Sequence, residues 1–330
     1  MKLVLGIDIG GTKIALVLTD TKGRVLRTDE FLIFHNKASR ATIQELIKRI
    51  LILTKGNKLI GIGVGTPGPV NPKSGKIPWS PNLPGWQGLP ICRILHQKFH
   101  VPVFIENDAN LAAVCEKRLG FGKGKKDLVY ITVSTGIGGG LIFNGNLYSG
   151  HSYSGGEFGH MTVVPGGRRC HCGKHGCLEA YASGTAIAKE ARTQIPSNPK
   201  SLLAKLKKEN RIITSKRVKE AAHRGDRLAI KILEEAGRYL GVGIGNLLNL
   251  LNPEVIILGG GVLKGSGKGI KIFWRSMIQS AKKESWREPF RNSSIVRTKF
   301  QDSVGALGAV SLVLEQLNLR NNSGARSSTG

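Results

Sequence analysis

No run of about 18 apolar residues occurs in this chain, so no helical membrane span is expected. Its start offers only Lys2 and a short apolar stretch broken by Asp8, too brief and too polar for a secretory signal. The five cysteines are an odd number that does not suit a secreted disulfide framework. A reducing cytoplasm is the expected compartment. Acidic residues are scarce, 22 Asp and Glu against 49 Lys and Arg, for a formal net charge of +27. Such a field attracts nucleic acid, anionic membrane or polyphosphate. The charge is dispersed, however, and its plain reading is a solvated basic surface. The densest run, residues 205–219, has no interleaved aromatic side chain, so base stacking has no support there.

What is present suits a globular chain of about two domains. Of its 330 residues, 40% are hydrophobic, enough for a sizeable core. The 44 glycines follow no Gly-X-Y period, which excludes collagen, and they cluster where tight turns or close backbone approach are needed. Residues 3–9, 13–19 and 23–31 read as strands, so the chain opens with an antiparallel meander. Residues 41–53 show the helical period at Ile43, Leu46, Ile47 and Ile50. Strands follow at 59–64 and 101–105, then a helix from Asp108 to about 119. A second pass repeats the pattern: a strand at 128–133, a glycine loop at 134–140, and a hairpin with 141–143 and 147–148 about Asn144-Gly145. A long helix spans 226–251 with Asp226 as N-cap, and Gly237, Gly241 and Gly245 form a stripe on one face for close packing or a flat ligand. A strand at 254–258, a last helix at 303–316 and a frayed tail from Arg320 complete the reading.

Three constellations carry chemistry. The two glycine loops, Asp8-Ile9-Gly10-Gly11-Thr12-Lys13 and Ser134-Thr135-Gly136-Ile137-Gly138-Gly139-Gly140, lie between strands. Successive backbone N–H groups in such turns hold phosphate oxygens, and Thr12 and Thr135 add hydroxyls. Lys13 adds charge or faces solvent. Neither loop has Walker A spacing. Asp8 places a carboxylate beside the phosphates, as Mg²⁺ requires. Second, Glu106-Asn107-Asp108 ends a strand, where open α/β sheets place ligands. Asp108 suits a general base for an attacking hydroxyl; its local alternative is a plain helix N-cap. Asn107 can donate and accept to sugar hydroxyls. Third, Cys170-His171-Cys172-Gly173-Lys174-His175-Gly176-Cys177 fits a structural Cys₃His zinc site. His160 is the expected fourth ligand, with His171 and His175 as rivals. Glu157 and Glu179 flank the cluster.

Together with Gly65-Thr66-Pro67-Gly68-Pro69, Pro81-Asn82-Leu83-Pro84-Gly85-Trp86, Glu157-Phe158-Gly159-His160 and Leu258-Gly259-Gly260-Gly261, these motifs resemble the ROK family (repressors, open reading frames, kinases) of the actin-like and hexokinase-like ATPase superfamily. The resemblance implies an α/β protein of two actin-like, ribonuclease H-like lobes around a cleft. The lobes would be residues 1–108 with the C-terminal helix at about 303–319, and residues 109–302 with the zinc loop. It implies ATP and Mg²⁺, often a homodimer, and Asp108 as base on a hexose 6-hydroxyl. Sugar contacts would come from Asn82, Asn107, Asp108, Glu157, His160 and Glu179. Zn²⁺ ligands would be His160, Cys170, Cys172 and Cys177. The nucleotide would lie along Asp8, Gly10, Gly11, Thr12, Lys13, Thr135, Gly136, Gly138, Gly139, Gly259, Gly260 and Gly261. A glucose kinase is the first expectation, with an N-acetylglucosamine or N-acetylmannosamine kinase beside it. The unusual charge adds polyphosphate as an alternative donor, or a non-specific nucleic-acid contact. The family's repressors carry a helix-turn-helix ahead of the first loop, and only four residues precede Leu5.

Overall fold

The apolar opening folds into β1 (Leu3–Ile9), buried on both faces except at Asp8. It pairs antiparallel with β2 (Lys13–Asp20), which pairs with β3 (Val25–Leu32). Helix α1 (Ser39–Thr54) leads to β4 (Leu59–Thr66), parallel to β1. Helix α2 (Ile91–Phe99) precedes β5 (Val103–Asn107), parallel to β4. The first sheet thus runs β3-β2-β1-β4-β5. β5 starts two residues later than the apolar run suggests. Pro102 has no N–H for the ladder, and pairing continues instead through Glu106 and Asn107 against Gly65 and Thr66. The computed structural model describes residues 1–34, 39–80, 83–300 and 303–326.

Helix α3 (Asp108–Leu119) passes to a second sheet, begun by β6 (Leu128–Val133), β7 (Ile137–Phe143) and β8 (Asn146–Tyr148). Short helices α4 (Glu179–Ala182), α5 (Gly184–Gln194), α6 (Leu202–Lys208) and α7 (Ser215–His223) follow, then the long α8 (Arg227–Leu251). Next come β9 (Val255–Gly259), α9 (Lys268–Glu284), α10 (Arg287–Asn292), β10 (Ser294–Arg297) and α11 (Val304–Arg326). The second sheet runs β10-β9-β6-β7-β8, with β6, β9 and β10 parallel. The architecture is mixed α/β with two five-stranded sheets. α11 continues to Arg326, past the point where composition suggested a frayed tail; residues 327–330 lie outside the described ones.

β7 differs from its expectation. It begins at Ile137, so Gly138, Gly139 and Gly140 are strand residues and not a loop. The reason is space: a Cβ on Gly139 would run into the Phe158 ring, and one on Gly140 would lie 2.6 Å from the Ala109 carbonyl of α3. Glycine in a strand often marks such an approach. The turn itself is Ser134-Thr135-Gly136, closed by Ser134 N–H to Gly136 O at 2.8 Å. The Asn144-Gly145 hairpin forms as expected, with φ of 48° and 74°.

Close approach also seats α11. Gly6 on β1 and Gly63 on β4 have no room for a Cβ beneath the Ala306 and Ala309 carbonyls. The helix therefore lies tight on the first sheet, and Gly305 reaches the Asp8 carboxylate. Asp226 caps α8 as expected, accepting from Ala229 N–H at 2.8 Å. The stripe Gly237, Gly241 and Gly245 faces Phe273, Met277 and Glu284 of α9, so it serves helix packing and not a flat ligand. Among the described residues no helix is long and apolar enough to cross a membrane. The stripe yields a sign-specific prediction. In an open helix Gly→Ala stabilises by about 1 kcal/mol. At Gly241 the added methyl meets the Met277 carbonyl and the Ser280 Cβ, and overpacking costs about 1–3 kcal/mol. Gly241→Ala should lower the urea midpoint; a higher midpoint would refute this packing.

Candidate active site

β1 presents Asp8 at its C-terminal end, half-buried under the start of α11. β5 presents Asp108 one strand beyond β4, at the first turn of α3. Both carboxylates line one cavity of about 210 Å³, whose opposite wall includes Thr132, Ser134 and Gly259–Gly261 from the second sheet. The burial of Asp8, then the charge of Asp108, push its pKa up to about 7, with Lys13 opposing. Asp108 has an exposed side chain, which by itself would argue for ordinary solvation. Yet it sits among groups of both sheets, and a carboxylate's solvation depends on water beyond the shell it touches. That loss of surrounding water is the main cause that pushes its pKa up to about 6. The hydrogen bond from Ala109 N–H opposes the shift, and the Glu157 charge adds to it.

The N-cap of α3 is Asn107, not Asp108. Asn107 Oδ1 accepts from Ala109 N–H at 2.9 Å and Asn110 N–H at 3.1 Å. Asp108 also accepts from Ala109 N–H, at 2.8 Å. Asn107 Nδ2 donates to Gly68 O at 3.0 Å, tying the cap to the Gly65–Pro69 turn. Glu106 points inward, accepting from Asn107 N–H and Asn110 Nδ2 at 2.8 and 3.0 Å. Capping by the neighbour leaves Asp108 facing the cavity.

The first glycine turn is tight: Gly10 N–H donates to Lys13 O at 3.0 Å. Lys13 Nζ is ion-paired with Glu30 of β3 at 2.6 Å. Gly10, Gly11, Thr12 and Lys13 are not in the lining of the cavity that holds Asp8. A second cavity of about 470 Å³ adjoins the first through Ser134 and Gly261. Thr135, Gly184, Arg192, Ile212 and Lys216 line it. The glycine motifs pointed to Ser134, Thr135 and Gly261 of this wall but not to Gly184, Arg192, Ile212 and Lys216, which come from α5, α7 and the segment before α7 and carry no glycine motif. Lys264, Arg297 and Gly305 of the first cavity were missed for the same reason.

Four ligand atoms converge in the cysteine loop. His160 and the sulfurs of Cys170, Cys172 and Cys177 all lie within 4.8 Å of one another. Cys170 Sγ is 3.8 Å from His160 Nδ1, and Cys172 Sγ is 3.7 Å from Cys177 Sγ. Of the rivals, His171 meets Glu179 Oε1 at 2.8 Å and lies 3.9 Å from Cys170 Sγ, forming a second group with His160 and Glu179, and His175 is absent from both groups. The other Glu179 oxygen accepts from Ile137 N–H at 2.7 Å. Glu179 therefore joins the cysteine loop to the 134–136 turn. Glu157 is exposed, just before the short turn Phe158–His160. Asn82 lies outside the described residues.

Comparison with known proteins finds relatives along nearly the whole chain. The ROK family model matches residues 4–316. The glucokinase of Halalkalibacterium halodurans is 38% identical over 275 residues, covering 81% of this chain and 82% of its own. A xylose repressor of Caldicellulosiruptor bescii is 30% identical over 321 residues, covering 95% of this chain and 78% of its own. The crystal structure of a ROK family glucokinase from Streptomyces griseus, in complex with glucose and AMPPNP, superposes with a TM-score of 0.78 at 32% identity. That match covers 94% of this chain and 98% of the other. The chain belongs to the ROK family.

Proposed function

We propose that this protein is a hexose kinase, transferring the terminal phosphoryl group of ATP to the 6-hydroxyl of glucose. The observation that carries this reading is the pair Asp8 and Asp108 turned into one cavity between the sheets. Asp108 is the general base. With a pKa near 6 it is ionised at neutral pH yet basic enough to take the proton of an attacking hydroxyl. Asn107, Glu157, His160 and Glu179 contact the acceptor, and Asn82 is a further candidate contact. The turn at Ser134–Gly136 and the glycines Gly259, Gly260 and Gly261 form the donor phosphate wall, and the second cavity takes the nucleoside. The turn at Gly10–Lys13 closes on the phosphates as the lobes, 1–108 and 109–302, draw together. Asp8 would hold magnesium, which would offset the charge of the donor phosphates when bound. Cytoplasmic residence, a homodimer and non-specific contact with polyanions belong to the same proposal.

The cysteine loop fits a zinc ion. Tetrahedral zinc with Zn–S bonds of about 2.3 Å separates its sulfurs by about 3.8 Å, and Cys172 and Cys177 stand 3.7 Å apart. His160, Cys170, Cys172 and Cys177 fill all four positions, so the ion would be structural. It would fix His160 and, through Glu179, the turn at Ser134–Gly136. The xylose repressor relative motivates the rival reading, a sugar-responsive regulator without turnover.

A coupled assay across glucose, fructose, mannose and both N-acetylhexosamines, with ATP or polyphosphate, separates these. Glucose with ATP should give the highest kcat/KM; no turnover on any hexose with either donor would refute the kinase. Asp108→Asn should lose about 10²–10⁴-fold in kcat while still binding glucose, and near-normal turnover would remove Asp108 as base. Metal analysis of the purified protein should find one zinc per chain, lost in Cys177→Ser together with thermal stability. A metal-free wild type with unchanged Tm would contradict the zinc assignment.

A further inference from the structure

Five consecutive carbonyl oxygens after β9 are held by only two side chains. Lys219 Nζ donates to Gly261 O at 2.9 Å, Val262 O at 2.9 Å and Lys264 O at 3.2 Å. Arg297 Nη1 donates to Leu263 O at 3.2 Å and Gly265 O at 2.6 Å. An ammonium has three N–H donors, and Lys219 places all three on this one turn. Partial burial is the main cause that pushes the Lys219 pKa below the ordinary lysine range, as fits a cation that has exchanged water for carbonyl oxygens.

The turn lies where both cavities meet. Gly261 lines both of them, Lys264 and Arg297 line the first, and Val262 lines the second. Lys219 stands on α7, one helical turn beyond Ser215 and Lys216, which line the second cavity. The same helix thus touches the nucleoside side of the site and grips the phosphate side. Left uncapped, five carbonyl dipoles at this wall would repel an arriving polyanion; two cations facing them offset that field.

We propose that Lys219 and Arg297 form a two-cation clamp that presets the 261–265 turn for the phosphate donor, with Lys219 as a positioning residue that ties the nucleoside wall to the phosphate wall. The inference rests on the kinase reading above. A purely structural role would lower stability and affect both substrates alike. Positioning of the donor wall instead predicts a split between them.

The test measures Mg-ATP binding by calorimetry, together with KM for ATP and for glucose, in Lys219→Met and Lys219→Arg. Hydrogen bonds to a charged group are typically strong enough that losing them should weaken ATP binding about ten-fold or more. KM for ATP should rise by a similar factor, with KM for glucose unchanged, and Lys219→Arg should recover most of the loss. Unchanged ATP affinity in Lys219→Met, or a glucose KM that rises in step, overturns the clamp. If Lys219→Met does not fold, Arg297→Gln removes the charge that holds Leu263 O and Gly265 O, and must show the same donor-specific split. A wild type that binds Mg-ATP but phosphorylates no hexose defeats the kinase reading, and the calorimetric arm still decides the clamp. A wild type that binds no Mg-ATP overturns both.

Discussion

Asp8 and Asp108 are carboxylates held toward one small cavity, and the loss of water around each is the constraint around which the site is built. Each is fixed from behind. Asp8 is met by Gly305, and Gly305 arrives there only because Gly6 and Gly63 let α11 lie tight on the sheet. Asp108 is released toward the cavity because Asn107 takes the capping role and Glu106 braces the start of α3 from within. The protein around them makes ionisation harder for both. A positive charge brought between them would relieve that cost.

The far wall has the opposite character. Lys264 and Arg297 face the same cavity as the two aspartates. The first sheet offers carboxylates and the second offers cations and glycine backbone, a polarity that suits a polyanion bound with its counter-ion. The net charge of +27 extends this field beyond the site and favours encounter with anionic substrates.

Much of this was legible in the sequence where chemistry demands a particular residue. The cysteine spacing pointed to three sulfurs and His160 gathered at one point, and the structure gathers them. Strands β1 and β6 stand out as apolar runs and α1 by its apolar period, and the glycine stripe on α8 pointed to close packing. The reading failed where glycine serves packing and not a turn. Gly138, Gly139 and Gly140 resembled part of a phosphate loop, yet they lie inside β7, where Phe158 and α3 leave Gly139 and Gly140 no room for a side chain. Asp108 and Asn107 exchange roles relative to a simple N-cap reading, because local preference does not distinguish two adjacent good caps. Lys264 and Arg297 were invisible, and Lys219 was hidden within the basic run 205–219, since basic residues among 49 carry no spacing signal and meet only through tertiary contact.

The central claim is that the two aspartates titrate well above ordinary carboxylates because of where the fold puts them. Carbon-13 NMR titration of the aspartate side-chain carboxyls tests it most directly. The account predicts midpoints near 7 for Asp8 and near 6 for Asp108, with the Asp8 midpoint falling once Asp108→Asn removes the opposing charge. Midpoints for both in the ordinary aspartate range of about 4, unmoved by that substitution, would contradict it.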